Sequence, residues 1–500
     1  MESTKIPIIE GLTIASAQAA YKAGTYTCHD LISAYFARIK ALDTDPNGPR
    51  LNSILAQSRT ALDEALALDA YLKDSRQFVG SLHGIPVLVK DQVETKGLVT
   101  TYGSVVAKDH VPSEDAMLVK KLKAAGAVVL AKTTMPDWAT GWFSTSSISG
   151  MTRNPYALDR DTGGSSSGTA SAIAANLAIL GLGEDTGGSI RLPSSYCGLV
   201  GLRPTPGMIS RSGLCPLIKA QDTPGPMTRT VEDAALMFDV LVGFDAADPY
   251  TSTAILAGPP VGGSYAATLE SNKALITKSR IGVLRSAFGD SKEPEYAAVN
   301  GVIESAFKTL ADSGTTFVDI EIPNLAHYLS FTPTYITESR SQIDTYLSTT
   351  SPTIPTTVSA IHASSLAHPA LQLFADIATG FETPTSDLQL AQRLLDRDTL
   401  QNLVISVMAT HDLDAIAFPD SKIPAPLHSD INRWSPFEYP TNTLLASQAR
   451  MPAITVPAGR TEQGLPIGLE LVGLHYREQK LLELAYGIEK LVGRQMAPKL

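Results

Sequence analysis

The sequence predicts an α/β protein with a largely parallel sheet, and three observations predict it. β-branched and apolar runs such as Ile85-Pro-Val-Leu-Val89 and Ala127-Val-Val-Leu-Ala131 are separated by a helical stretch, the strand–helix–strand order of a βαβ unit. Two Gly-Gly-Ser units, ending at Ser165 and Ser189, enclose the small, apolar run Ala170–Gly183, which reads as a buried helix leading into a buried strand. The core pattern then returns at Leu413–Phe418, Ala453–Pro457 and Ile467–Val472, so the core is discontinuous in sequence.

In chain order, Thr13 to Leu42 reads as two helices broken at Gly24, the second with capping-box spacing from Thr27 to Asp30. Ser58 to Leu72 is an amphipathic, Ala/Leu-rich helix. His83-Gly-Ile-Pro-Val-Leu-Val-Lys90-Asp91 is a strand entering the core, apolar up to a single lysine. Ser113-Glu-Asp opens a helix to Ala125, ahead of the strand at 127–131. Met135 to Pro155 is a polar and aromatic loop carrying Trp138, Trp142 and Phe143, and residues 157–162 are polar and loop-like. Cys197–Pro204 is a short apolar segment, Asp222–Arg229 a turn-rich loop, and Thr230 caps a helix to about Val242. From about 246 to 405, Ser, Thr and Pro are frequent and the periodicity weakens. That region is expected to be less regular, although 280–285 and 315–320 still read as strands. Glu478 to Val492 is an amphipathic helix.

The chain has 500 residues, 44% hydrophobic, without an evident linker, which suits one large unit or two or three domains. Forty basic residues stand against 50 acidic ones, a net charge of −10, with no basic run. Nucleic acid and anionic membrane surfaces are therefore disfavoured as partners. Three cysteines, Cys28, Cys197 and Cys215, with no CxxC argue against a disulfide framework or zinc site and suit a reducing compartment. The first residues lack the basic segment and apolar core of a secretory leader, and no stretch has the ~18 consecutive apolar residues of a membrane span. A soluble, cytoplasmic protein is expected.

A serine nucleophile needs a base. Of nine histidines only His83 lies near a candidate motif, and it reads as a strand entry. Lys90 is the better candidate, because burial at the end of an apolar strand favours the neutral amine. The alternatives are that Lys90 reaches the surface or pairs with a carboxylate such as Asp91. Thr186-Gly-Gly-Ser189 offers consecutive N–H groups suited to an oxyanion hole, or to an anion nest. No phosphate-binding G-x-x-x-x-G-K-[ST] motif is present, and Asp185 beside the turn disfavours a phosphate. Gly164-Ser-Ser-Ser-Gly168 fits the nucleophile-elbow pattern with Ser166 at its centre, but that elbow needs a strand immediately before it.

Taken together, Gly84–Asp91, Gly163–Gly168 and Asp185–Arg191 resemble the amidase signature family. So do Leu130–Trp138, Thr152–Pro155, Gly198–Pro204, Asp222–Asp233 and Pro452–Gly459. The resemblance spans roughly 10–245 and 410–490. It implies a single domain over 1–500, a mixed, mostly parallel sheet covered by helices on both sides, and a variable 246–405 region set into that core. It further implies a Ser–cisSer–Lys triad of Ser189 (nucleophile), Ser165 (bridge, after a cis Gly164–Ser165 bond) and Lys90 (base). The oxyanion hole would be Thr186, Gly187, Gly188 and Ser189. Ser166, Asp185 and Arg191 would have supporting roles. Thr133-Thr-Met135-Pro-Asp137 and Ser167 depart from the common family pattern and border the expected acyl pocket.

The implied activity is hydrolysis of linear amide C–N bonds through an acyl-enzyme, with esters and carbamates as side substrates and no metal or cofactor. Met135, Asp137, Trp138 and Trp142, with Phe143, are expected to line the pocket, and Trp434 and Phe437 to face it from the other side. Aryl or medium apolar amides are the expected substrates. The expected partner is a small-molecule amide, with no nucleic acid and no membrane, and the chain is expected to be a monomer or homodimer. The alternative is the amidase component of a glutamine-dependent aminoacyl-tRNA amidotransferase. The irregular middle region and the lack of a basic face weigh against it.

Overall fold

The computed structural model describes residues 7–350, 354–494 and 496–500. Residues 1–6, which carry most of the leader reading, lie outside the described residues. The strands are β1 (Ile54–Gln57), β2 (Pro86–Lys90), β3 (Val128–Thr133), β4 (Arg153–Asn154), β5 (Ala157–Asp161), β6 (Leu180–Asp185) and β7 (Val200–Arg203). They continue with β8 (Thr223–Thr228), β9 (Arg280–Leu284), β10 (Thr316–Ile320), β11 (Ala415–Pro419), β12 (Ala453–Arg460) and β13 (Pro466–Val472).

Eleven of them form one sheet in the order β1-β3-β2-β6-β8-β7-β12-β13-β11-β9-β10. The sheet is mixed, and its parallel pairings fall in two blocks. One is β3-β2-β6 and the other is β11-β9-β10. Antiparallel pairings through β8, β7, β12 and β13 join the blocks. Helices cover both faces. Along β11, Ala415 and Ala417 enter one apolar cluster with the helices Pro294–Asp312 and Glu478–Val492. Ile416 and Phe418 enter another with the helix Leu390–Thr410. This is the period-2 alternation of a strand buried on both sides.

Three local expectations need correction. The 222–229 segment is a strand, not a loop. Its ladder to β7 stops at Met227, so Pro224 and Pro226 occupy positions where that flank asks for no N–H. Residues 157–161 are likewise a strand, paired with β4 in a separate ribbon. The 246–405 region is largely helical, with Pro294–Asp312, Tyr335–Thr350, Gln372–Thr379 and Leu390–Thr410 as its longer helices. Its periodicity is weak because buried faces carry polar side chains: Thr337 and Ser339 beside Ile343 and Leu347 in one helix, Arg397 beside Leu400 and Val404 in another. Among the described residues no helix is long and apolar enough to cross a membrane.

Candidate active site

The parallel block β3-β2-β6 brings three strand C-termini to one side, the position where open α/β sheets hold their ligands. Lys90 ends β2 and Asp185 ends β6. The turn Thr186–Ser189 follows, then the short helix Arg191–Tyr196. The first Gly-Gly-Ser unit leads into the helix Ser167–Ala174, buried along its whole length. Only small residues permit that approach. A Cβ on Gly168 would lie 2.4 Å from Ser53 O and from Thr134 N and Oγ1.

Lys90 is 0% exposed, and Asp91 is not its partner. The Asp91 carboxylate takes Thr101 and Gly103 N–H groups and lies 3.9 Å from Lys132. Lys90 Nζ instead donates to Ser165 Oγ at 2.9 Å and Glu184 O at 3.0 Å, with Glu184 Oε2 at 3.4 Å. Burial lowers the Lys90 pKa, opposed by the Glu184 carboxylate beside it. Burial raises that of Glu184 to about 7 against the pull of Lys90, with Asp222 and Asp185 pushing the same way as burial.

The Gly164–Ser165 peptide bond is cis. Asp161 braces the unit, its carboxylate accepting from Gly163 N at 2.7 Å and from the Ser144 hydroxyl at 2.8 Å. Ser166 is buried. Its N–H donates to Ser189 O at 3.1 Å, and its hydroxyl sits between the Glu184 carbonyl and N–H. A side chain held this way is a clamp between the two Gly-Gly-Ser units, and β5 ends four residues before Ser165. Neither feature suits a nucleophile elbow.

In the second unit Gly188 has φ +144°, and a Cβ there would meet Thr443 Oγ1 at 1.9 Å. Thr443 Oγ1 donates to Gly187 O at 2.9 Å, fixing the turn from outside. Among the described residues the N–H groups of Thr186, Gly187, Gly188 and Ser189 donate to no protein acceptor. They are free to meet an anionic oxygen. The Ser165 and Ser189 hydroxyls are not joined by a hydrogen bond among the described residues. The Ser165 hydroxyl is held on the Lys90 side.

Asp185 and Arg191 brace the turn. The Asp185 carboxylate accepts from Ile190 N, Arg191 Nε and Nη2 (each 3.1 Å) and Arg203 Nη1 (2.7 Å). Burial alone would raise its pKa, but the two guanidiniums outweigh burial and hold it well below the usual carboxylate range. Arg191 continues to Glu470, to Thr443 O at 2.9 Å and to Ser447 Oγ at 2.7 Å.

Ser189 opens onto a cavity of about 470 Å³. Trp142, Tyr335, Leu371, Leu373, Trp434 and Phe437 supply its apolar walls, with Phe143 and Leu444 beside them. Among the described residues that line it, none is Asp, Glu, Lys, Arg or His. Trp142 is fixed by a 2.7 Å bond from Nε1 to Pro436 O. Met135, Asp137 and Trp138, expected on this wall, are in the interior. Trp138 is 2% exposed and stacks on Tyr102 with centroids 5.2 Å apart. The Asp137 carboxylate accepts from Ser147 N, and burial pushes its pKa up to about 7. The backbone turns over at Trp138 (φ 55°), which sends this side chain inward while Trp142 remains on the wall.

Sequence reasoning missed Glu184, Asp222, Arg203 and Thr443 in the polar network, and Tyr335, Leu371 and Leu373 on the wall. Alternation along β6 gave no signal for Glu184: the β2–β6 ladder ends at Val89 and Leu182, and the contact between Lys90 and Glu184 is made beyond it, where the two strand ends meet. His83 is excluded as a base by position. It stacks on Phe78 and accepts from Val79 N at 3.2 Å. Among the described residues no group of three or more His, Cys, Asp or Glu is arranged to hold a metal ion.

A family model described as Amidase matches residues 30–482. The curated A-subunit of the glutamyl-tRNA(Gln) amidotransferase from Alkaliphilus metalliredigens is 32% identical over 499 residues, covering 97% of each chain. The crystal structure of native peptide amidase from Stenotrophomonas maltophilia superposes with a TM-score of 0.86 at 33% identity, covering 97% of this chain and 98% of that one. The A-subunit of the glutamyl-tRNA(Gln) amidotransferase from Thermotoga maritima superposes with a TM-score of 0.75 at 25% identity, covering 99% and 100%.

Proposed function

This chain belongs to the amidase family, an amidohydrolase acting on C–N bonds, and from that premise we propose that it works unaided on uncharged amides with an aryl or medium apolar acyl part. The observation that carries the reading is the buried Lys90 amine 2.9 Å from Ser165 Oγ, beside a turn of unbonded N–H groups that opens at Ser189 onto a cavity without charge.

Neutral Lys90 accepts the Ser165 proton as Ser165 accepts that of Ser189. Ser189 Oγ attacks the amide carbonyl, and the N–H groups of the 186–189 turn hold the oxyanion. The relay returns the proton to the leaving nitrogen, the C–N bond breaks, and an acyl-enzyme remains. Water then repeats the sequence and releases the carboxylate. Esters and carbamates acylate the same serine.

A second reading, the amidase component of a glutamine-dependent aminoacyl-tRNA amidotransferase, is the one the curated relatives favour: the Alkaliphilus protein and its namesake from Oleidesulfovibrio alaskensis are 32% and 33% identical over 97% and 96% of this chain. Two observations weigh against it. The superposition is better on the peptide amidase than on the Thermotoga amidotransferase component. Free glutamine also carries an ammonium and a carboxylate, and desolvating both in a cavity without a charged partner is costly.

The test is a panel of glutamine, acetamide, aryl amides and peptide amides on the isolated chain and on Ser189→Ala and Lys90→Ala. The expected result is turnover of apolar amides by the wild type. Ser189→Ala should lose about 10⁴-fold or more, and Lys90→Ala orders of magnitude. Glutaminase activity that appears only with partner proteins would establish the second reading instead. Full activity in Lys90→Ala would remove the mechanism.

A further inference from the structure

We propose that Glu184 is a positioning residue for Lys90, aiming its lone pair at Ser165 and setting the pH at which that lone pair becomes available. The inference rests on Lys90 being the base. A neutral amine has two N–H groups and one lone pair. Three acceptor positions surround Nζ: Ser165 Oγ, Glu184 O and Glu184 Oε2. Glu184 supplies two of them. When both N–H groups are committed to Glu184, the lone pair is left facing the Ser165 hydroxyl, the orientation that proton abstraction requires.

The Thr186 hydroxyl lies 3.2 Å from the other carboxyl oxygen, Glu184 Oε1, and 2.6 Å from Asp222 Oδ1, and its one proton serves either carboxylate. Asp222 in turn accepts from Leu217 N and Ile218 N. Glu184 is 0% exposed and is not among the residues lining the cavity, so it acts on Lys90 and not on substrate.

The charged and titratable groups around it are Lys90 from β2, Asp185 from its own strand, Asp222 from the loop before β8, Arg203 from β7 and the Cys215 thiol. Burial keeps the Cys215 thiol protonated. Asp185 is matched to two arginines. This leaves Glu184 as the carboxylate in direct contact with Lys90. Its negative charge favours the ammonium form, so it moves the onset of activity toward higher pH than burial alone would set.

The sign follows directly. Replacing Glu184 by an isosteric neutral acceptor removes the charge that favours ammonium, and neutral Lys90 persists to lower pH. Glu184→Gln is expected to move the acid limb of kcat/KM down by about 1–3 pH units, with KM at the optimum unchanged. Glu184→Ala is expected to move the limb down too, and to lower kcat about tenfold at unchanged KM, because the lone pair loses its orientation. Glu184→Asp keeps a charge and is expected to keep the limb closer to the wild type than Glu184→Gln does. It guards against a poorly folding glutamine variant. A merely structural role would lower thermal stability without moving the limb. An unmoved limb in Glu184→Gln, or the same downward shift in Glu184→Asp, overturns the inference. If Lys90→Ala were fully active, the base assignment would fail instead.

Discussion

The two sides of Ser189 are built on opposite principles. Behind it Lys90, Glu184, Asp185, Arg191 and Arg203 are packed together without solvent exposure, each charge answered by another or by a backbone group. In front of it the cavity wall is largely aromatic and aliphatic, and its described lining residues carry no charged side chain. The rear is a high-stakes polar network, where a missing partner leaves a desolvated charge. The front is a packing surface, where a missing side chain leaves only room. The difference teaches that the groups proposed to react and those proposed to sort substrates obey different energetics, and that mutations on the two sides should fail in different ways.

The largest expected effect lies behind the serine. Arg191→Ala strands Glu470 in the interior and leaves Asp185 with Arg203 as its one remaining guanidinium among the described residues, and should cost about 3–5 kcal/mol of stability in denaturant unfolding. A loss below about 1 kcal/mol would mean that the network is not what holds the turn.

In front of the serine, Trp142→Ala should cost about 1–3 kcal/mol of stability through the lost packing on Tyr439, and lower kcat/KM for aryl amides about tenfold or more, through KM, while acetamide is unaffected. Equal losses on both substrates would show that Trp142 supports the turn and does not sort substrates.

The smallest effect separates two tryptophans on one loop. Trp138→Phe removes a buried N–H that has no partner among the described residues and keeps an aromatic ring against Tyr102. It should cost no more than about 1.5 kcal/mol and leave the substrate profile unchanged. A shifted profile would return Trp138 to the wall.

Much of the site was legible in the chain. Lys90 stands at the end of an apolar run, and a lysine there is either buried or an anomaly. The glycines at 187 and 188 announce a turn that side chains cannot make. The supporting pair of Asp185 and Arg191 lies within one motif. The middle region was less legible, because Thr337, Ser339 and Arg397 are buried in helices whose faces therefore do not look apolar. The strand at 223–228 was hidden by two prolines whose missing N–H groups matter only once the neighbouring strand is known to stop short.

By itself the sequence determined the α/β class and the family and singled out the residues proposed for acyl transfer, because these depend on local patterns: strand endings, tight turns, small residues beside serines. Only the tertiary structure decided which carboxylate meets Lys90, which tryptophan meets the cavity and what its far wall is made of. Those outcomes depend on strand register and on packing between segments hundreds of residues apart. Trp142 is anchored on Pro436, and Gly187 on Thr443. Contacts of that kind leave no periodic trace in either segment alone.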